Sequence, residues 1–173
     1  MCPVKKILVY GAGPLGSLYA VRLMQGGHAV SLLARGQRLA DLRQYGVVLE
    51  DGQTSVRTVT HVPLVEQLSP EDDYDLVAVI MRKNRVAAIL PALAANQHTP
   101  NVLFLHNNAA GPGELVAALG KERVLLGFPM SAGMFVEGHV VRCLAGTEKE
   151  PVAIPIGAGD GGITGGLRQV GEG

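Results

Sequence analysis

The run Gly11-Ala12-Gly13-Pro14-Leu15-Gly16 has the residue types and spacing of a turn that holds phosphate. It follows an apolar run of β type at residues 7–10 and precedes a helical pattern. In a strand that turns into a helix this way, the first glycine permits the tight turn and the second lets a pyrophosphate approach the backbone. The third lets the helix pack closely on the strand. The helix N-terminus adds N–H groups and a partial positive charge. Pro14 is acceptable there because a first-turn N–H has no intrahelical partner. The chemistry implied is binding of a dinucleotide; the plain alternative is a structural tight turn.

Where a second strand ends, an Asp or Glu that bonds ribose hydroxyls marks NAD-preferring sites. That place here reads Leu33-Ala34-Arg35-Gly36, followed by Gln37-Arg38. A carboxylate would repel a 2′-phosphate, whereas a guanidinium can grip it bidentately and stack on the adenine. Arg35 is therefore the expected 2′-phosphate ligand, with Arg38 supporting it, and the expected cofactor is NADP(H); a solvated arginine in a polar loop is the bland reading.

Ligands of such sheets lie beyond the carboxyl ends of the strands. Two further ends are Met81-Arg82-Lys83-Asn84 and His106-Asn107-Asn108. Arg82 or Lys83 would attract an anionic substrate or the pyrophosphate, and Asn107 would bond the nicotinamide ribose or a substrate hydroxyl. Solvated charge in a first helical turn and an ordinary loop Asn are the alternatives. His106 is read as structural rather than as a proton donor. His28, His61, His98 and His139 show no metal-ligand spacing, so no metal is expected. Cys143 has no nearby His or Asn and reads as a buried thiol.

The elements that must position these residues alternate. Residues 7–10, 29–33, 76–81, 102–105 and 124–126 are apolar runs suited to parallel strands covered on both faces. Leu15, Leu18, Tyr19 and Leu23 mark the first helix, which Gly26-Gly27 ends. Further helices are expected over 37–45, over 86–93 with Pro91 kinking it or beginning its second half, and over 114–119. Residues 47–49 and 55–60 read as a hairpin around Asp51-Gly52; residues 136–142 and 152–156 read as antiparallel or edge strands. The fold class expected is α/β: a Rossmann-type, doubly wound, mostly parallel sheet with extra antiparallel strands toward the C-terminus. The domain is expected to span residues 1–157. Residues 158–173 are expected to form a glycine-rich, flexible tail, since eight of the residues from 157 on are glycine.

Composition narrows the classes. The 173 residues suit one domain with a real core. Fifteen basic residues balance fifteen acidic ones, which gives no reason to expect nucleic acid or an anionic membrane as partner. No apolar stretch approaches the ~20 residues of a membrane span. Lys5-Lys6 runs straight into strand, leaving no room for a signal peptide, and Cys2 and Cys143 are isolated. The expectation is a cytoplasmic protein.

Residues 6–16, the segment Leu33-Ala34-Arg35 and the strand-end Asn107 together resemble the N-terminal half of ketopantoate reductases (2-dehydropantoate 2-reductases). Gly127-Phe128, Gly138-His139-Val140-Val141 and residues 154–157 fit the same pattern, so the similarity runs from about Lys5 to about Gly157. The resemblance implies NADPH-dependent reduction of a 2-keto acid to a 2-hydroxy acid, a step toward pantothenate and coenzyme A. It implies that Asn107 helps hold cofactor and substrate. Arg82 aligns best with a family lysine, and Lys83 falls one place later. It also implies that the catalytic lysine and a substrate-binding acid belong to a C-terminal helical domain that these residues do not contain. A non-catalytic NADP(H)-binding sensor or regulatory module is the alternative function. With the crevice uncovered, an exposed apolar patch and a homodimer, or a helical partner domain, are expected.

Overall fold

The strands are built from short apolar runs whose alternate residues face two separate cores. The computed structural model describes residues 4–106, 111–144 and 155–158. Strands β1 (Lys6–Tyr10) and β2 (Ala29–Leu33) flank helix α1 (Pro14–Gln25), and α2 (Gly36–Tyr45) follows. Next come β3 (Val47–Asp51), β4 (Arg57–Thr60), the two-residue β5 (Leu64–Val65) and β6 (Leu76–Val79). After two 3₁₀ turns, α3 (Leu90–Ala95) leads to β7 (Val102–Leu105), α4 (Gly113–Leu119) and β8 (Val124–Gly127). The chain closes with β9 (Ala132–Val136), β10 (Val140–Leu144) and β11 (Ile156–Ala158).

The main sheet has seven strands in the order β11-β8-β7-β6-β1-β2-β5. All its pairings are parallel except that of β11 with β8. The chain winds outward from β1 through β2 to β5, then returns to lay β6, β7 and β8 on the other side. This is the doubly wound order, with its switch point between β1 and β6. One core takes Val9, Ala78, Leu103 and Leu125 with α1 and α2 residues Leu18, Val21, Leu39 and Leu42. The other takes Leu8, Val77, Val79, Val102, Phe104 and Val124 with α3 and α4 residues Leu90, Leu93, Leu115 and Leu119. Burying each valine, leucine or phenylalanine among them contributes about 1.5–3 kcal/mol. Pro91 stands in the first turn of α3, where its missing N–H costs nothing, so the apolar pattern over 86–93 begins in 3₁₀ turns and becomes α-helix only from Leu90.

The extra strands form a second sheet of their own, in the order β4-β3-β10-β9. Its pairings are antiparallel except that of β3 with β10, two strands far apart in the chain. The single strand expected over 136–142 is instead a hairpin. Glu137 and Gly138 both have positive φ, 51° and 76°, and turn β9 back into β10. The two-residue β5 gave no sequence signal, since two half-buried residues carry no period. The expected strand over 152–156 lies largely outside the described residues, as does all of the expected tail over 158–173 but Ala158, which is buried and ends β11 instead. Phe128, Met130, Met134 and Phe135 are exposed.

One face of the second sheet packs Leu49, Val141 and Cys143 into the core beneath α1. The other carries a row of charge in register across three strands, Arg57, Glu50 and Arg142. The Glu50 carboxylate is buried between the two guanidinium groups. Glu137 reaches from the hairpin turn to grip Arg57 bidentately at 2.9 and 2.8 Å. Hydrogen bonds from Arg57, then Arg142, hold the Glu50 carboxyl below the usual carboxylate range against the opposing effect of burial. Arg57 holds Glu137 below it too. Depressed folded values stabilise the fold above the unfolded pKa, near 4.3, and that stabilisation is lost as pH falls through the folded values. The melting temperature is therefore expected to fall on acidification below about pH 4.3. Glu50→Gln should lower it at pH 6 and make the acid decline shallower; equal declines in thermal melts of variant and wild type would show that the network carries none of it.

Candidate nucleotide site

Gly11 leaves β1 with φ 124°, a conformation that side-chain-bearing residues avoid. A Cβ there would collide with the carbonyl oxygen of Ile80, and the Met81 side chain lies 3.7 Å away. The turn is thus pressed against the carboxyl end of β6. A Cβ on Gly16 would run into the Gly11 carbonyl, so only glycine lets α1 come this close to the turn. Gly13, the N-cap of α1, has ordinary φ of −69° and nothing within 4 Å of its missing Cβ. The three glycines therefore divide their work: two allow close packing of the chain on itself, and one faces open space at a helix N-terminus. Such a bare backbone, with first-turn N–H groups at Leu15 and Gly16, fits a pyrophosphate. Pro14 occupies the first turn as expected, Ala12 is buried and Leu15 half-buried.

Arg35 follows β2 directly and is the N-cap residue of α2. Its Nε donates to the Glu66 carbonyl at 2.9 Å and one Nη to the Tyr10 hydroxyl at 3.3 Å. The side chain is exposed, and no carboxylate pairs with it among the described residues. Tyr10 is the last residue of β1, so these bonds pin the guanidinium beside the glycine turn. Arg38 is placed differently. Its nitrogens bond the Ala12 carbonyl, the Ser17 hydroxyl and the His139 carbonyl, at 3.0, 3.0 and 3.3 Å. Three of its five N–H groups serve the protein in this way, and two remain for the supporting phosphate role expected of it. Burial pushes its pKa down, with Asp41 opposing.

Arg82 and Lys83 lie exposed where β6 gives way to a 3₁₀ turn at Lys83–Arg85. Neither they nor Arg85 form an ion pair among the described residues, whereas Arg43, Arg57 and Arg142 all do. Unpaired cations at the strand ends create a positive field over the crevice. Lys83 and His106 meet in a shallow cleft of about 120 Å³ with Val86, Gly111, Gly113, Glu114 and Leu115, which Arg82 does not line. His106 tilts against Phe104, their ring centroids 5.9 Å apart. Asn107 lies outside the described residues. Tyr10, Ser17 and Glu66 escaped the sequence reading: Tyr10 read only as strand, Ser17 as helix, and Glu66 acts through its backbone. Among the described residues no helix is long and apolar enough to cross a membrane. Nor does any cluster of three or more His, Cys, Asp or Glu there suit a metal ion.

A parallel doubly wound sheet with a glycine turn at its switch point defines a Rossmann-type α/β domain. The family model for ketopantoate reductase PanE/ApbA matches residues 7–156, and the chain belongs to that family. No curated protein matches it. Among solved structures it is similar to a candidate ketopantoate reductase from Ralstonia solanacearum MolK2, with TM-score 0.77 and 20% identity, over 97% of this chain and 56% of that one. It is also similar to 2-dehydropantoate 2-reductase from Geobacter metallireducens GS-15, with TM-score 0.75 and 21% identity, over 95% and 52% of the two chains. A third is D-mandelate dehydrogenase in a ternary structure with NADH and anilino(oxo)acetate, with TM-score 0.70 and 21% identity, over 82% and 46%. The chain spans about half the length of these structures.

The glycine geometry separates folding from binding. Gly16→Ala is expected to cost about 1–3 kcal/mol, because the Gly11 carbonyl is backbone and must shift. Gly13→Ala should cost less, about 1 kcal/mol or under, the difference between glycine and alanine at an N-cap. Denaturant titrations of the two variants check this contrast.

Proposed function

We propose that this chain is the nucleotide-binding half of an NADPH-dependent reductase that converts a 2-keto acid to a 2-hydroxy acid, as in the formation of pantoate for coenzyme A. The observation that carries this reading is Arg35, fixed by Tyr10 and Glu66 at the end of β2, where an NAD-preferring site would hold an acid. Family membership and an NADH complex among the similar structures support a nicotinamide cofactor. The residues from Gly11 to Gly16 would hold the pyrophosphate, with Gly13 giving it room and the N–H groups of α1 donating to it. Arg35 would take the 2′-phosphate bidentately. Bound NADPH supplies the hydride that the ketone carbon accepts. Arg82 and Lys83 would draw the carboxylate of the keto acid, or the pyrophosphate, to the crevice; Asn107 is proposed to hold the nicotinamide ribose or a substrate hydroxyl. We assign no proton donor among the described residues.

Calorimetric titration with NADPH and NADH tests the reading. NADPH is expected to bind the wild type more tightly than NADH. Arg35→Ala should lose roughly 10- to 100-fold in NADPH affinity, the value of one or more charged hydrogen bonds, with NADH little changed. Gly13→Ala should weaken both nucleotides while staying folded. Equal affinity for the two nucleotides in the wild type would overturn the NADP assignment, and no binding of either would overturn the whole reading.

A further inference from the structure

Arg38 reaches from α2 into the underside of the glycine turn. Its Nε donates to the Ala12 carbonyl and one Nη to the Ser17 hydroxyl, both at 3.0 Å. The Ser17 hydroxyl itself lies 3.4 Å from the same carbonyl. Ala12 and Ser17 are buried, so the Ala12 carbonyl points inward. No cis peptide occurs among the described residues, and across a trans peptide the C=O of one residue and the N–H of the next point in opposite directions. The Gly13 N–H is therefore turned outward, to the open side of the turn. Without a Cβ, Gly13 would equally allow the 12–13 peptide to flip and bury that N–H. The absence that gives a phosphate room thus leaves the donor unaimed unless something holds the carbonyl.

We propose that Arg38 is a positioning residue of the nucleotide site, which holds the Ala12 carbonyl inward and so aims the Gly13 N–H at the pyrophosphate. This rests on the dinucleotide reading given above. The remaining Nη donates to the His139 carbonyl at 3.3 Å, and the guanidinium lies 4.8 Å from the Phe135 ring centroid. Gly133 of the same hairpin packs on Pro14, its missing Cβ 3.2 Å from the proline Cβ. The β9–β10 hairpin thereby braces both the arginine and the start of α1, which gives the second sheet a part in the site.

The test uses the full chain with Arg38→Met, which keeps the stem, and Arg38→Lys, which keeps the charge. Affinities for NADPH and NADH are measured by calorimetry, and the Gly13 amide is followed by ¹H–¹⁵N NMR without nucleotide. Arg38→Met is expected to weaken NADPH and NADH by about the same factor, tenfold or more, with their ratio unchanged. Arg38→Lys should fall between it and wild type. The Gly13 resonance, single in wild type, should broaden or double in Arg38→Met. A selective loss of NADPH affinity would make Arg38 a 2′-phosphate ligand and overturn the proposal. So would a lowered melting temperature with both affinities intact in the folded protein. If wild type binds neither nucleotide, the dinucleotide reading itself fails. A single sharp Gly13 resonance in Arg38→Met overturns the positioning role whatever the nucleotides do.

Discussion

The close approach of α1 to the end of β1 is the constraint on which the rest depends. The Gly11 carbonyl occupies the space that a Cβ on Gly16 would need, and Gly11 itself is pressed against the carbonyl of Ile80. Because two residues lack side chains there, β1, β6 and α1 converge at one point. That convergence puts a helix N-terminus at the switch point of the sheet, beside Arg35 and the end of β6. A side chain at either position would not merely crowd a ligand; it would push apart the elements that form the crevice.

Two sheets share responsibility for that point. The main sheet delivers the turn, Arg35 and the β6 end, each by a strand that stops at the same level. The second sheet joins segments nearly a hundred residues apart through the parallel pairing of β3 with β10. Its own coherence rests on Glu50, buried between Arg57 and Arg142, and on Glu137 closing over Arg57. A buried charge left with one partner would be costly, so the row works as a set. The sheet's inner face lies beneath α1, and its hairpin touches Pro14 and Arg38. The turn is therefore held from the strand side and from the helix side at once.

Charge is distributed with the same division. Arginines of the scaffold have carboxylate or carbonyl partners: Arg43 pairs with Glu66, Arg57 with Glu50 and Glu137, and Arg123 caps the carbonyls of Leu93, Asn96 and Thr99. Arg82, Lys83 and Arg85 stand without acid partners among the described residues, on the rim of the crevice. A protein with no net charge can still present a positive field locally when its pairings are segregated this way.

The sequence alone determined the α/β class, the glycine turn and the placing of Arg35, because each is a local property. The runs at residues 7–10 and 102–105 are apolar throughout, the helical period starts at Leu15, and the residue types at 11, 13 and 16 admit few other uses. The hairpin around Asp51-Gly52 and the restart at Pro91 were legible for the same reason: turn chemistry and a missing N–H act on their nearest neighbours. What only the tertiary structure decided was long-range. The stretch 136–142 looks like one strand because its apolar residues flank a three-residue turn, and only the pairing of β10 with β9 and β3 separates its halves. Arg38 lies three residues from Arg35 and reads in sequence as its support at the phosphate. Yet its partners are Ala12 and His139, and no local pattern encodes a hydrogen bond to a backbone carbonyl 101 residues away. Periodicity reports which face of an element is buried, whereas the partner on that face is chosen only when the sheets close.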